Sequence, residues 1–385
     1  MPAPDRRKVA LVTTTIYVPH AVETYLKNIA RHGHAGRVEL IVVGDRKTPA
    51  EAGSFLAGLQ KTFGVETKYL DVPAQQDLLR RWPVLDGVIR YNCIQRRNVG
   101  YLQAGLDGAD LIVSFDDDNF VPENVDYLAE HGVAGTEIEV PVVSDASGWW
   151  NICRRLVCDP PRRFYHRGYP KSRQTFAEAG GEKIAREKVR VLVNAGLWLK
   201  NPDVDATANI EEPLNVVRVA DVDGSARCAL AHGTWCPFNS QNTALVRELL
   251  PAMYLVVMLD WLRGYKIGRL DDIWQSYFIR AIADRLGGHV VYGTPVVTQD
   301  RNPHNFTKDL AEELGGYVVT ERLVGYLREF KTGSRTWSGA YLDLIYHLRD
   351  CADRDRDLER PEREYLRLVT LGMAAWQEAM AEIQG

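Results

Sequence analysis

A chain of 385 residues with 45% apolar and 25% charged residues has the composition of a globular protein, which excludes disordered, collagen-like and disulfide-scaffold chains. Its 47 basic and 51 acidic residues give a net charge of -4. No excess of positive charge is therefore available to hold a phosphate backbone, and nucleic acid is not an expected partner.

Cysteine usage and hydropathy indicate a reducing, aqueous setting. The six cysteines are scattered without a C-x-x-C pair, which favours reduced thiols over a zinc site or a disulfide framework. No stretch approaches the roughly 20 apolar residues that a membrane helix requires. We therefore expect a cytoplasmic protein with no membrane partner, and a homo-oligomer is possible.

The first half of the chain predicts an open, mostly parallel α/β sheet. Continuous aliphatic runs typical of buried strands cover residues 9–12 and 38–43, with a helical pattern at 21–29 between them. A third strand is predicted at 66–70. Strand, helix and strand in this order, buried on both faces, indicate a parallel sheet.

A helix rich in arginine and glycine is predicted at 94–106, followed by a strand at 111–115 that ends in three aspartates. After a strand at 140–143, residues 144–185 mix Gly, Pro, Trp and Arg too irregularly for regular elements. Long structured loops of this kind are often functional. This loop also contains the pairs Arg154-Arg155 and Arg162-Arg163, which are weak candidates for gathering an anionic substrate.

The second half of the chain predicts elements of both types. Residues 189–199, 255–261 and 290–297 have strand or helix patterns, and the chain is helical from about residue 320. We predict one catalytic domain over residues 1–310, with a helical extension over 311–385 packed on it.

The aspartates after the strand at 111–115 are the strongest local signal. Open α/β sheets place their ligand crevices at the carboxyl ends of their strands. In an extended segment, Asp116 and Asp118 point to one side and Asp117 to the other. Asp116 and Asp118 are therefore the predicted ligands of a hard cation, Mg²⁺ or Mn²⁺, which proteins often hold with one or two carboxylates and substrate phosphates. The alternative is an exposed acidic turn.

Motifs of competing enzyme classes are missing from the sequence. It contains no G-x-G-x-x-G after the first strand, no Walker Gly-Lys-Ser/Thr, no H-E-x-x-H and no G-x-S-x-G. The strand ends offer other groups for a nucleoside diphosphate, namely Thr13, Thr14, Thr15, Asp45 and Asp116, with Arg97 for the diphosphate. Asp45 is otherwise a turn residue and Arg97 otherwise part of a solvated helix face.

The acidic triad and six motifs that follow it in order resemble the reversibly glycosylated polypeptides, or UDP-arabinopyranose mutases, over about residues 9 to 310. After the acidic triad these are His166-Arg167-Gly168-Tyr169-Pro170, Gly196-Leu197-Trp198-Leu199, Pro202-Asp203-Val204-Asp205-Ala206, Pro251-Ala252-Met253-Tyr254, Ile267-Gly268-Arg269-Leu270-Asp271-Asp272-Ile273-Trp274, and Asn302-Pro303. The resemblance implies a glycosyltransferase A-like fold that binds a nucleotide sugar through the triad and a divalent metal, usually manganese.

The resemblance also implies that Arg167 is reversibly glycosylated, because it occupies the arginine of R-G-Y-P. A guanidinium is protonated at pH 7, with a pKa above about 12, so attack on an anomeric carbon requires a carboxylate that removes a proton. The sequence offers Asp117, Asp159, Asp271 and Asp272 for this. The other role for Arg167 is a bidentate clamp on a diphosphate or carboxylate.

Two tryptophans and an aspartate pair are candidates for contact with the sugar. Asp271 and Asp272 enter a predicted helix and either bind sugar hydroxyls, act as base, or cap the helix. Trp274 is predicted to supply a sugar-stacking face. Trp198 lies either beside the sugar or in the core.

One departure from the family pattern concerns the metal. The resemblance implies a histidine just before Asn302-Pro303, but this chain reads Val297-Thr298-Gln299-Asp300-Arg301. Asp300 or His304 are the possible substitutes, and the third metal ligand stays open.

These observations favour a metal-assisted glycosyltransferase that moves a sugar from a nucleoside diphosphate, most simply a UDP-sugar, to a small acceptor. One alternative is a pyranose/furanose mutase that uses Arg167 as a transient carrier. The other is a non-catalytic subunit of a glycosylation complex.

Overall fold

The fold is described by a computed structural model over residues 5–174, 181–258, 261–300 and 305–384. Its strands are β1 (Val9–Thr14), β2 (Val38–Val43), β3 (Glu66–Leu70), β4 (Leu111–Phe115), β5 (Asn119–Phe120), β6 (Glu137–Asp145), β7 (Leu156–Cys158), β8 (Glu182–Lys200), β9 (Val216–Val219), β10 (Cys228–Leu230), β11 (Asn242–Val246) and β12 (His289–Gln299).

The helices in the same ranges fall into two groups. Those around the sheet are α1 (Val22–Arg31), α2 (Glu51–Phe63), α3 (Val72–Leu79), α4 (Pro83–Val88), α5 (Arg97–Leu106), α6 (Tyr127–His131), α7 (Ala206–Glu211) and α8 (Asp271–Leu286). The carboxyl-terminal group consists of α9 (Phe306–Glu329), α10 (Trp337–Arg354) and α11 (Arg360–Gln384). Helix α9 runs across residue 310, and none of the described helices is both long and apolar enough to span a bilayer.

One mixed sheet organises the chain, in the order β3-β2-β1-β4-β11-β8-β6-β10-β12-β5. The four strands β3, β2, β1 and β4 are parallel, as their aliphatic runs predict. Beyond β4 most neighbours are antiparallel. The open α/β fold class with a helical carboxyl-terminal segment is therefore confirmed, and parallel pairing dominates only its first half.

Helix α5 packs closely on the parallel strands because of one glycine. A Cβ at Gly100 would collide with the side chains of Val12 and Val43. The strand residues that it faces are fully buried. This close packing places the amino terminus of α5, with Arg97, beside the carboxyl end of β4.

Several element predictions differ from the structure. Helix α9 begins at Phe306 and not near residue 320, and β7 and the start of β8 lie inside the segment predicted to lack regular elements. Residues 94–96 form a 3-10 turn, so the helix begins at Arg97. Residues 255–258 are neither strand nor helix. The Asn98 side chain bonds both backbone groups of Leu255, at 2.9 and 2.8 Å, where a neighbouring strand would otherwise bond them.

The carboxyl-terminal helices are tied to the sheet layer by buried polar contacts. The Trp376 indole N–H donates to the Leu250 carbonyl at 2.8 Å, and the Tyr365 hydroxyl donates to the Val257 carbonyl at 2.9 Å. All six cysteines are free thiols and five are buried, as expected.

We expect Gly196→Ala to destabilise the fold by roughly 1–3 kcal/mol. Its Cβ would collide with the Asn242 side chain and the Pro295 carbonyl, where β8 passes β11 and β12. The control is Gly58→Ala in α2, whose Cβ meets nothing within 4 Å and which should gain up to about 1 kcal/mol. Urea denaturation gives both free energies of unfolding, and equal values would contradict the expectation.

Candidate functional site

A cavity of about 460 Å³ opens at the carboxyl edge of the parallel strands. Asp116 and Asp118 reach it from the segment after β4, Asp271 from the start of α8, and Gln299 from the end of β12. Its remaining lining residues are Arg90, Tyr91, Asn92, Cys93, Ile94, Gln95, Arg167, Asp203, Gln241, Met258, Lys266, Ile267, Gly268, Arg269 and Glu312. Residues that lie between positions 90 and 312 of the chain therefore meet at one crevice.

The three aspartates lie in a turn and do not extend β4. The Asn119 N–H closes this turn on the Asp116 carbonyl at 3.2 Å. Asp116 and Asp118 line the main cavity, whereas Asp117 faces a smaller one beside it and accepts a hydrogen bond from the Thr15 hydroxyl. Burial raises the pKa of Asp117 to about 6. Asp117 therefore faces away from Asp116 and Asp118, and a turn, not an extended segment, produces this arrangement.

The carboxylates of Asp116 and Asp118 suit a hard divalent cation, since both are oxygen donors in one cavity. The described residues include no group of three or more His, Cys, Asp or Glu side chains placed to hold a metal. Remaining ligands would therefore come from substrate phosphates and water, as is common for Mg²⁺. Asp300 pairs with Lys200 at 2.7 Å, and His304 lies outside the described residues.

Arg97 was predicted to contact the diphosphate, but it does not line the cavity. It is 1% exposed, and its guanidinium donates to Asp116 at 2.6 Å and to the Ser240 hydroxyl at 2.8 Å. Its buried charge would need an acidic partner in any case. Arg97 therefore fixes the position of Asp116 and does not line the diphosphate site.

Arg167 is the buried centre of the other side of the cavity. Its Nε donates to Asp203 Oδ1 at 2.7 Å, and its Nη2 donates to Asp203 Oδ2 at 3.1 Å and to Asp272 Oδ1 at 3.2 Å. Burial alone would lower the Arg167 pKa, but Asp203 and Asp272 outweigh burial and raise the pKa above its usual range. Nη1 is left without a hydrogen bond to the described residues, in a side chain that lines the cavity.

Asp203 and Asp272 are themselves held in place. The Asn239 amide donates to Asp203 Oδ2 at 2.6 Å, and the Ser240 N–H and hydroxyl each donate to Asp272 Oδ2 at 3.0 Å. Burial would raise the pKa of Asp203, but the Arg167 charge holds it below its usual value. Both carboxylates therefore serve the guanidinium and carry its compensating charge.

Asp271 has a different environment from Asp272. It lines the cavity, is buried, and its Oδ2 has no hydrogen-bond partner among the described residues. Burial, followed by the charge of Asp272, raises the pKa of Asp271 to about 7. A carboxylate with such a pKa can take up and release a proton near neutral pH.

The smaller cavity, of about 190 Å³, lies beside the ends of β1 and β2 and shares Asn92, Cys93 and Ile94 with the main one. Thr14, Thr15 and Asp45 line it, and the nucleoside role assigned to them stays a prediction. Asp45 also accepts the backbone N–H groups of Arg46 and Asn92, at 2.7 and 2.5 Å, so it shapes the adjoining loops. Thr13 is fully buried and does not reach either cavity.

Sugar contact is the wrong interpretation for both tryptophans, and Trp198 takes its alternative position in the core. Trp274 is fully buried, and its indole N–H donates to the Thr320 hydroxyl at 2.8 Å. Trp198 is 2% exposed and packs on the His166 ring, with centroids 5.6 Å apart. Neither tryptophan lines the main or the smaller cavity.

Sequence reasoning gave no role to Asp203, Asn239, Gln241 or Gln299. Asp203 lay within a motif already singled out, and a polar run precedes the buried strand β11 at residues 239–241. Gln299 donates to Asp118 at 3.4 Å, from the segment where the family histidine was expected. Of these four residues, only Gln299 lies at a position for which the sequence had indicated a role, that of the missing metal-binding histidine.

The loop that carries Arg167 is fixed by further buried contacts. Asp205 accepts the Gly168 N–H at 2.9 Å and the Lys171 ammonium at 2.6 Å. Glu313 of α9 accepts the neighbouring Ala206 N–H at 2.8 Å. The first carboxyl-terminal helix therefore supports the arginine loop directly.

An open α/β sheet with its crevice at the carboxyl ends of parallel strands defines the class of ligand-binding α/β proteins. The sequence comparison is more specific. The chain belongs to the reversibly glycosylated polypeptide family, whose model matches residues 165–382, more than half of its length.

Named relatives are plant mutases. UDP-arabinopyranose mutase 3 of Arabidopsis thaliana is 30% identical over 221 residues, covering 56% of this chain and 54% of that protein. UDP-arabinopyranose mutase 1 of the same plant is 28% identical over 235 residues, covering 60% and 62%. The chain thus spans between about half and three fifths of the length of these two relatives.

Among solved structures, glucosyl-3-phosphoglycerate synthase from Mycobacterium tuberculosis in complex with Mn²⁺, UDP-glucose and phosphoglyceric acid aligns with a TM-score of 0.43 at 12% identity, covering 83% of this chain and 80% of that one. A mannosyltransferase from Pyrobaculum calidifontis in complex with GDP-mannose and Mn²⁺ aligns with a TM-score of 0.36 at 12% identity, covering 98% and 75%.

We expect Asp271→Asn to gain stability relative to the wild type as pH rises from 5 to 7, and the difference to level off above pH 7. The pKa of Asp271 is raised from 3.8 to about 7, so the ionised carboxylate destabilises the fold, and this cost develops between those two values. The difference in unfolding free energy should grow by up to about 1.4 kcal/mol per pH unit. Denaturant titrations at three pH values measure it.

Asp284→Asn is the control of opposite sign. Burial would raise the Asp284 pKa, but contacts with His232, Arg280 and Trp235 lower it. The ionised carboxylate therefore stabilises the fold, and this variant should be less stable than the wild type throughout the same range. A pH-independent difference for Asp271→Asn would contradict the assignment.

Proposed function

We propose that the chain is a nucleotide-sugar enzyme in which Arg167 receives the glycosyl group, as in a pyranose/furanose mutase. One observation carries this proposal. Arg167 is held by two carboxylates at Nε and Nη2, while Nη1 has no hydrogen bond to the described residues and the side chain lines the same cavity as Asp116 and Asp118. The names of the family relatives support it.

In the proposed complex, the nucleoside occupies the smaller cavity and the sugar the larger one. Thr14, Thr15 and the loop at residues 92–94 would line the nucleoside, and the shared loop lets one ligand extend through both cavities. Asp116 and Asp118 would hold a divalent cation. When bound, this cation offsets the negative charge on the departing diphosphate.

The transfer step balances with the groups of the cavity. Nη1 of Arg167 forms a bond to the anomeric carbon while the bond from that carbon to the diphosphate oxygen breaks, and the nucleotide leaves with the electron pair. Asp271 takes the proton that the guanidinium loses, for which a pKa of about 7 is suited. The guanidinium remains paired with Asp203 and Asp272 throughout, so its orientation is retained.

The bound sugar can then change ring size. An N-glycoside opens when its ring oxygen leaves the anomeric carbon and takes up a proton to become a hydroxyl, while the nitrogen lone pair forms a double bond to that carbon. Another sugar hydroxyl then adds to the same carbon, gives up its proton and closes the new ring, so that no net proton is gained or lost. Attack by the diphosphate reverses the first step and returns the proton from Asp271 to Arg167.

Transfer to an external small acceptor is the second candidate. The same cavity is also lined by Lys266 and Arg269, two cations that could hold an anionic acceptor. In that reaction Arg167 only orients charge, and the acceptor hydroxyl replaces Nη1 as the attacking atom.

The two candidates differ in the mass of the protein after incubation with UDP-, GDP- and dTDP-sugars and Mn²⁺. We expect an adduct of one sugar that disappears on addition of the free nucleotide. Peptide mapping of the wild type should place the adduct on Arg167. Arg167→Gln should form none, whereas Arg269→Gln, the same change at another lining arginine, should retain it.

Release of nucleotide without an adduct would overturn the carrier role and favour an external acceptor. Neither adduct nor nucleotide release with any donor would favour a non-catalytic subunit. Because the mapping uses the wild type, the result does not depend on the stability of a variant that leaves two buried carboxylates unpaired.

The metal proposal predicts that chelation abolishes adduct formation. Asp118→Asn should raise the Mn²⁺ concentration for half-maximal adduct formation by roughly tenfold or more, because it removes one of two charged ligands. Asp300→Asn is the matched control, since this nearby carboxylate is exposed and paired with Lys200. Equal shifts in both variants would contradict the assigned ligands.

A further inference from the structure

Apart from the main cavity and the smaller one beside it, the structure has a cavity of about 140 Å³, here called the second cavity. It is lined by arginines and aromatic residues to which the proposed function gives no role. It lies between residues 145–154 and residues 163–173, and the latter segment carries Arg167. Its lining residues are Asp145, Ser147, Trp149, Trp150, Asn151, Arg154, Arg163, Tyr165, Tyr169, Ser172 and Arg173. The main cavity and this one have no lining residue in common.

In each of the two arginine pairs of this region, one arginine bonds backbone carbonyls of nearby loops and the other lines the second cavity. Arg155 donates to the backbone carbonyls of Ala220 and Tyr292, and Arg162 donates to that of Ala208. These two arginines therefore hold the surrounding loops together. Their neighbours Arg154 and Arg163 line the second cavity.

Aromatic side chains form one wall of the cavity. Trp149, Trp150 and Tyr169 are 4–5% exposed, and the rings of Tyr165 and Tyr169 lie with centroids 5.2 Å apart. Glu182 accepts hydrogen bonds from the Trp150 indole at 2.6 Å and from Arg154 at 2.7 Å. The wall and one of its cations are thus fixed before any ligand binds.

The charge of the lining is opposite in sign to that of the chain. Three arginines and one acidic residue, Asp145, line the cavity, and Glu182 beside it is paired with Arg154, so this group keeps one net positive charge. Asp145 Oδ1 already accepts the Ser147 N–H and hydroxyl at 2.8 and 2.6 Å. Arg173 makes no side-chain hydrogen bond or ion pair with the described residues, and it is exposed at the cavity mouth. The whole chain carries a net charge of -4.

We propose that this cavity is a second ligand site, for a small sugar phosphate. Arginine is the side chain best suited to bind phosphate oxygens, and aromatic faces suit the apolar faces of sugar rings. The volume is below the roughly 300–1,000 Å³ of sites for larger ligands, which limits the occupant to a single sugar unit. The site is independent of the proposed transfer reaction.

Its location gives the site access to the arginine loop. Tyr169 lines the second cavity and Arg167 lines the first, and the two residues belong to one turn in which the Tyr169 N–H donates to the His166 carbonyl at 3.0 Å. A ligand in the second cavity therefore contacts the segment that positions Arg167.

Isothermal titration calorimetry of the full chain in chelator, with glucose 1-phosphate as the probe, tests the proposal. We expect saturable binding of one equivalent, weakened at least tenfold in Arg173→Gln and unchanged in Arg335→Gln, an exposed arginine remote in sequence from the cavity-lining residues. Both changes are at exposed positions, and circular dichroism checks that each variant is folded. Inorganic phosphate and glucose are titrated as the component probes and should bind at least tenfold more weakly.

Three results would overturn the proposal. Absence of saturable binding excludes the ligand class, and undiminished binding to Arg173→Gln places the ligand elsewhere. Inorganic phosphate that binds as tightly as glucose 1-phosphate removes the role of the aromatic wall. No nucleotide sugar is present in these titrations, so failure here leaves the glycosyl adduct experiment unaffected.

Discussion

Burial of one guanidinium is the constraint on which the site depends. Removal of the Arg167 charge from water is costly unless opposite charges and hydrogen bonds replace the lost hydration. Asp203 and Asp272 supply these charges and hydrogen bonds. The two carboxylates in turn accept hydrogen bonds from Asn239 and Ser240. The loop of Arg167, the segment before β11 and the start of α8 are thereby held in one arrangement. A similar pairing of Arg97 with Asp116 fixes the other side of the crevice.

The sheet was the most predictable part of the molecule. The strands at 38–43, 66–70 and 111–115 have the predicted bounds. For the first and the last of these the reason is a continuous apolar run between helices, which has one interpretation; residues 66–70 are more polar and only partly buried. Strand β8 is longer than predicted, since residues 182–188 are exposed and polar and are strand only through pairing with β6. The prediction for residues 255–258 failed because other groups bond their backbone: Asn98 bonds both polar groups of Leu255, and Tyr365 donates to the Val257 carbonyl.

Prediction of the cavity lining succeeded where a residue's position in its own element decided its place. Asp116 and Asp118 after β4 and Arg167 line one cavity, and their roles there stay predictions. It failed for residues whose role depends on a distant partner. Arg97 faces Asp116 and not a ligand, and Trp274 donates to Thr320 across the boundary drawn at residue 310. No local pattern distinguishes a buried tryptophan from one at a sugar site, and Asp203 acquires its role only beside Arg167.

The pairing of β5 with β12 has a consequence for how the protein is made. Asn119 pairs with Gln299, and the Asp300 N–H donates to the Asp118 carbonyl at 3.2 Å. The aspartate turn is thus completed by a strand about 180 residues further along the chain. During vectorial synthesis the amino-terminal parallel strands can associate early, but the crevice stays open until β12 has left the ribosome. Contacts of such long sequence separation slow folding, so the acidic turn belongs to the last part of the nascent chain's native structure to form.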